Sequence, residues 1–235
     1  MPSAHRLLRT PLPQRPFARA LSVAAGAAVM LGCGGDSTSA TPPAAAYEFR
    51  LFATDPGGGT VPLALRWPSG SLPVRIWIAA DDPRRPALLR AIDTWDAALT
   101  SSQFRSTLVT SVALADIVVG DFPAGASASR VRLEGIAEGC FGFTDFDVDL
   151  EAGTLRLPFR IQVIGSQGVD QATLLACYDA TMLHELGHAL GIFAHSPNAN
   201  DVMHTDPTRT TLSGPDQATI AAVYSAPGTL LPVSP

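Results

Sequence analysis

The sequence predicts an α+β fold of about five strands and three main helices, spanning roughly residues 72–225. Three observations carry that reading. Val74-Arg-Ile-Trp-Ile78 alternates apolar and polar residues, as a half-buried strand does, and is followed by a stretch of helical period. In that stretch, Arg84 to Leu99, the apolar residues Leu88, Ile92, Trp95 and Leu99 recur every three or four positions. Further short apolar runs then lie between turn residues, and a long helical segment follows them late in the chain. Asp81-Asp-Pro83 reads as the turn that starts the first helix, its acids placed where the helix dipole favours them. Phe104 to Val112 and Ile117-Val-Val119 read as the second and third strands, closed by Gly120-Asp-Phe-Pro123. Ala124 to Arg132 is small and polar and reads as loop.

Ile136 to Val148 and Leu155 to Ile164 complete the set of strands, and Pro158 argues for an edge position of the last. Asp145, Asp147 and Asp149 alternate along the fourth strand and so share one face. They are a candidate for Ca2+ that lacks the glycine and terminal glutamate of a calcium-binding hand; a charged, solvated edge is the alternative. Asp170 is placed to cap a helix running from Gln171 to about Leu190, and Gly191 stands where a left-handed residue would end it. Ser213 and Pro215 open the last helix, with Ile220, Val223 and Tyr224 as its apolar stripe.

The ends of the chain read differently. Arg6, Arg9, Arg15 and Arg19 precede the apolar run Ala20 to Leu31, the pattern of an export signal over residues 1–32. That run is too short to span a bilayer comfortably. It ends in Val29-Met-Leu-Gly-Cys33, which resembles a bacterial lipobox, with Met30 where leucine is usual. The resemblance implies acylation of Cys33, and Gly34 after it implies an outer-membrane destination; a plain secretory signal is the alternative. Residues 33–71, rich in Gly, Pro, Ser and Thr, read as a tether with a short apolar piece from Tyr47 to Ala53. Residues 226–235 read as a disordered tail. A net charge of -5 leaves no basic footprint for nucleic acid, and three cysteines are too few for a disulfide-built scaffold.

The chemistry concentrates in His184-Glu-Leu-Gly-His188-Ala-Leu-Gly191-Ile-Phe-Ala-His195. On a helix His184 and His188 project from one face, and Glu185 lies about 100° round the axis. Two imidazoles beside one carboxylate suit a Zn2+ site that activates water. With Gly191, a further histidine and a methionine soon after, the stretch resembles the metzincin metallopeptidases, most closely their matrixin-like bacterial members. The hard resemblance covers His184 to Met203, and a softer agreement of element order runs from Leu72 to Tyr224.

The resemblance implies a mixed, twisted, mostly parallel sheet and a zinc endopeptidase acting on protein or peptide substrates, a monomer held to the membrane by its N-terminal lipid anchor alone. It further implies His184, His188 and His195 as metal ligands, Glu185 as general base and Met203 as the methionine turn beneath the metal. His195 departs from the family pattern by one residue, since the usual third histidine falls at Ala194; His204 and Asp201 are rival ligands, and Asp216 a remote one. An edge strand, Leu155 to Ile164 or the segment before it, would pair with the substrate. Cys140 and Cys177 would either form a disulfide in an oxidising compartment or remain buried thiols. A binding lipoprotein with little turnover and a hydrolase of non-peptide amides are the competing functions.

Overall fold

A computed structural model describes residues 44–54, 57–100, 103–122 and 130–234. The signal segment, Cys33 and the first part of the tether lie outside the described residues. The elements run β1 (Leu51–Thr54), β2 (Thr60–Leu63), β3 (Val74–Trp77), α1 (Arg85–Ala98), β4 (Ser106–Leu108), β5 (Ile117–Val119), β6 (Arg130–Ala137), β7 (Cys140–Asp149), β8 (Thr154–Gly165), α2 (Gln171–Ala189), α3 (Gly214–Ser225) and β9 (Leu231–Val233). β1 and β2 form a separate antiparallel pair. The main sheet has the order β4-β3-β5-β8-β7-β6, with β9 also paired to β8. Its β4–β3, β3–β5, β5–β8 and β8–β9 pairs are parallel, whereas β8–β7 and β7–β6 are antiparallel. This is a mixed, mostly parallel sheet in an α+β, zincin-like arrangement, with seven strands where about five were expected.

The two extra strands come from stretches whose composition hides them. Arg130 to Arg132, assigned to a polar loop, starts β6, whose backbone pairs with β7 along its whole length. The expected frayed tail carries β9, and Leu230 before it is 1% exposed. The stretch 44–71 also departs from a tether. Leu63, Leu65 and Trp67 alternate into the core, and Tyr47 and Phe49 are buried beside them. Phe49 accepts a hydrogen bond from Phe193 N, and Trp67 Nε1 donates to the Ala189 carbonyl, so this segment fastens the end of α2.

β8 is central, not an edge strand. Pro158 fits there because the β7–β8 register shifts, from Asp145↔Arg160 to Asp147↔Arg156. Across that shift β7 contributes Phe146 while β8 contributes Leu157, Pro158 and Phe159, so the proline occupies an irregularity where it need not donate to a ladder. The acidic alternation of β7 runs beside arginine positions of the neighbouring strands. Asp145 lies between Arg132 and Arg160 in the ladder, and Asp147 between Arg130 and Arg156. Arg132 donates to both oxygens of Asp145, and Asp149 accepts from Ala152 N. A Ca2+ site there finds no support: Arg132 already pairs with Asp145, and among the described residues these carboxylates form no cluster able to hold a metal.

α2 begins as its sequence predicts. Asp170 accepts from the amides of Ala172 and Thr173, satisfying two of the four donors a helix start leaves open. From Cys177 onward nearly every residue of α2 is buried, because the helix packs against β6, β7 and β8 on one side and α1 on another. Leu175, in the first turns of α2, is exposed. Trp95 of α1 sits against α2 and donates its indole hydrogen to the Leu183 carbonyl at 2.9 Å. Gly191 ends the segment with φ +111°, and a side chain there would strike the Leu65 carbonyl.

Candidate metal centre

The helical spacing brings His184 and His188 together, and the loop after Gly191 brings His195 to them. One ligand atom from each of the three lies within 4.8 Å of the others. Ring centroids are 4.7 Å apart for His184–His188, 5.0 Å for His188–His195 and 5.2 Å for His184–His195. The extra residue between Gly191 and His195 is absorbed by a turn that buries Ile192 and Phe193, with Ile192 N bonded back to the Gly187 carbonyl. His195 thus reaches the cluster despite its register.

Each ring is oriented by a backbone carbonyl. His184 Nδ1 lies 2.8 Å from the Val202 carbonyl and His188 Nδ1 2.5 Å from that of Ile192. The His195 ring is hydrogen-bonded by the Glu134 carbonyl. All three Nε2 atoms remain, buried and without a hydrogen-bond partner. Three convergent, orphaned imidazole lone pairs fit a divalent ion of the zinc type, and nothing else in the donor set satisfies them. Burial also holds the rings neutral, the form that ligates: it pushes His184 down to about 3 and moves His188 and His195 below their ordinary range. Among the described residues this is the one cluster of three or more such side chains.

Glu185 is fully buried next to the histidines, and Thr144 of β7 donates to its Oε2 at 2.8 Å. Burial raises its pKa well above the usual carboxylate range, while the Thr144 hydroxyl and the Gly135 amide pull the other way. A cation in the cluster would favour the ionised form further.

Met203 is fully buried beneath the histidine helix. A Cβ on Gly187 would collide with its Sδ and come within 2.9 Å of Trp95, so that glycine is the close-approach point for both. Asp216 of α3 holds the methionine segment. Its carboxylate accepts from Val202 N at 2.9 Å, from Met203 N at 3.5 Å and from Tyr47 Oη at 2.7 Å, while closing a capping box with Ser213. The rival ligands have other work: Asp201 accepts from Ser196 Oγ, Asp216 braces the turn, and His204 Nδ1 accepts from Asp206 N. Cys140 and Cys177 form a disulfide that ties the start of β7 to α2.

Sequence reasoning missed Thr144, Tyr47 and the Glu134 carbonyl. A signal existed for their neighbourhood: Gly135 and Gly142 stand inside strands, where glycine marks close approach of another group. The chain matches no protein-family model and no curated protein. Fold and site therefore define the class by themselves: a zincin-like protein whose buried histidine triad and adjacent carboxylate form a metal-binding site of the kind used by metal-dependent hydrolases.

Proposed function

We propose that the protein is a zinc-dependent endopeptidase of the metzincin type, similar to the matrixin-like bacterial members. The observation that carries this reading is the convergence of three orphaned Nε2 atoms beside the Glu185 carboxyl. A zinc ion held by His184, His188 and His195 would supply a Lewis acid and a bound water of lowered pKa. Glu185 would take the proton of the attacking water and hand it to the leaving amine, with Thr144 fixing one carboxyl oxygen so that the other faces the reaction. Met203 and Asp216 would keep the floor of the site in place. Export and acylation at Cys33, holding the domain to the envelope of a bacterium, belong to the same proposal and are tested by the mass of the mature N-terminal peptide.

The experiment is zinc stoichiometry with digestion of a broad peptide library. The native protein is expected to bind one zinc and cleave, and Glu185→Ala to keep zinc and fold while losing cleavage. Unchanged cleavage by zinc-loaded Glu185→Ala would sink the assignment. One observation favours the alternative of a binding lipoprotein with little turnover: His184, Glu185 and His188 have no exposed surface.

A further inference from the structure

That closure has a specific author in the chain, the edge strand β6. It pairs antiparallel with β7 from Arg130↔Asp147 to Ala137↔Cys140, and its middle crosses the histidine cluster. A Cβ built on Gly135 would lie 2.8 Å from His184 Cδ2, 3.1 Å from His184 Nε2 and 3.1 Å from Glu185 Oε1. Directly opposite in the ladder is Gly142, whose Cβ would fall 2.8 Å from the same Glu185 oxygen. The Glu134 carbonyl accepts from the His195 ring, Gly135 packs its Cα face against His184 and Glu185, and Ile136 N donates to the Thr205 carbonyl at 2.9 Å. Three consecutive residues therefore touch the third histidine, the carboxyl, the first histidine and the far wall.

An enzyme that cuts extended peptides has to receive a strand in that position, one residue from the metal and within reach of the base. On the peptidase reading β7 is the peptide-binding edge of this site, and we propose that β6 occupies that edge as an intramolecular pseudo-substrate. A peptide ligand would displace β6, pair with β7 in its stead and present glycine opposite Gly142, because no side chain fits between that point and His184. Of the two substrate edges the sequence resemblance offers, Leu155–Ile164 and the segment before it, β8 is flanked on both sides in the sheet and β7 is the one beside the cluster. The inference rests on the peptidase reading for its biological sense, and its test can fail independently of it.

The test uses the full chain, zinc-loaded, in three forms: native, Gly135→Val and Ile136→Pro. Valine puts branched carbons onto His184 and Glu185, whereas proline removes the hydrogen bond to Thr205 and adds nothing beside the metal. The second variant covers the case in which the first does not fold, judged by near-ultraviolet dichroism. Zinc removal by a chelator and amide exchange over residues 131–137 are expected to accelerate by roughly ten- to a hundredfold in Gly135→Val, the range overpacking a fitted site produces in an opening equilibrium, and by less in Ile136→Pro. A labelled octapeptide of residues 130–137 is expected to bind both variants more tightly than the native protein, and the same octapeptide with valine for its glycine to bind none.

Folded variants that release zinc and exchange β6 amides at the native rate would overturn the proposal. So would native protein cleaving library peptides as fast as the variants while β6 stays protected, a result that leaves the peptidase reading intact. Conversely, variants that open and bind the octapeptide but cleave nothing support the β7 edge and remove the peptidase reading.

Discussion

Replacing Asp216 by alanine should damage both stability and metal binding, although Asp216 touches no ligand nitrogen. Its carboxylate is fully buried and is the acceptor for Tyr47 Oη and Val202 N, both themselves buried. Each buried donor left without an acceptor costs about 1–3 kcal/mol, so these two together give about 2–6 kcal/mol, a large share of a total stability of about 5–15 kcal/mol. Tyr47→Phe removes one donor and leaves the other bonds in place, so about 1.5–3 kcal/mol is expected for that hydrogen bond to a charged group. In an Asp216→Ala background Tyr47→Phe should cost much less, since the partner is already gone.

The same substitution reaches the metal by a short path. Asp216 holds Val202 N, and the Val202 carbonyl holds His184 Nδ1. Loosening such an orienting group typically weakens metal affinity by about 10–100-fold. The assay is urea denaturation of the metal-free protein with its disulfide intact, paired with zinc competition against a chromophoric chelator. A cost below about 1 kcal/mol together with unchanged zinc affinity would refute the reasoning, because a carboxylate with these partners has no route to being so cheaply removed.

Two other outcomes follow from the same geometry. Cys140→Ser with Cys177→Ser opens a bridge that spans 37 residues, and chain entropy puts the loss at roughly 4 kcal/mol, read as a lower urea midpoint than the native protein's. In the metal-free protein the three histidines have folded pKa values below their ordinary 6.5, so only the unfolded chain gains protons as the pH falls through that value. Their contribution is thus present above pH 6.5 and is lost on the way down, towards about 3 for His184. Glu185 acts in the opposite sense: its folded pKa is raised, so its contribution is present below 4.5 and lost as pH rises through the folded value. Three histidines against one carboxyl predict net loss of stability on acidification from pH 6.5, steepened by Glu185→Gln. Urea midpoints measured across that interval check both statements, and a flat profile contradicts them.

Much of the site was legible from local patterns. The four-residue spacing of His184 and His188, the Asp170 cap, the Gly191 terminator and the Ser213 start of α3 all depend on neighbours within about one helical turn, and each stands where the sequence places it. The disulfide was one of two open alternatives, because the sequence carries no distance between a strand and a helix; the structure sets the two Cα atoms 5.9 Å apart and joins them. Pro158 was read as an edge signal because a proline cannot donate to a ladder, but an irregularity inside a central strand meets that condition equally well.

The sequence by itself determined two of the side chains that can hold a metal, since helix periodicity alone aligns His184 and His188; which later residue joins them was left to the loop after Gly191. Only the tertiary structure decided what surrounds them. The Leu63-Leu65-Trp67 alternation sits in a glycine- and proline-rich stretch, and its partner is the end of α2, more than a hundred residues away. Strand neighbours are likewise chosen by non-local hydrogen bonds that leave no periodic trace. That is why β6, hidden next to a polar stretch, could be found lying across His184 and Glu185 only once the sheet was assembled.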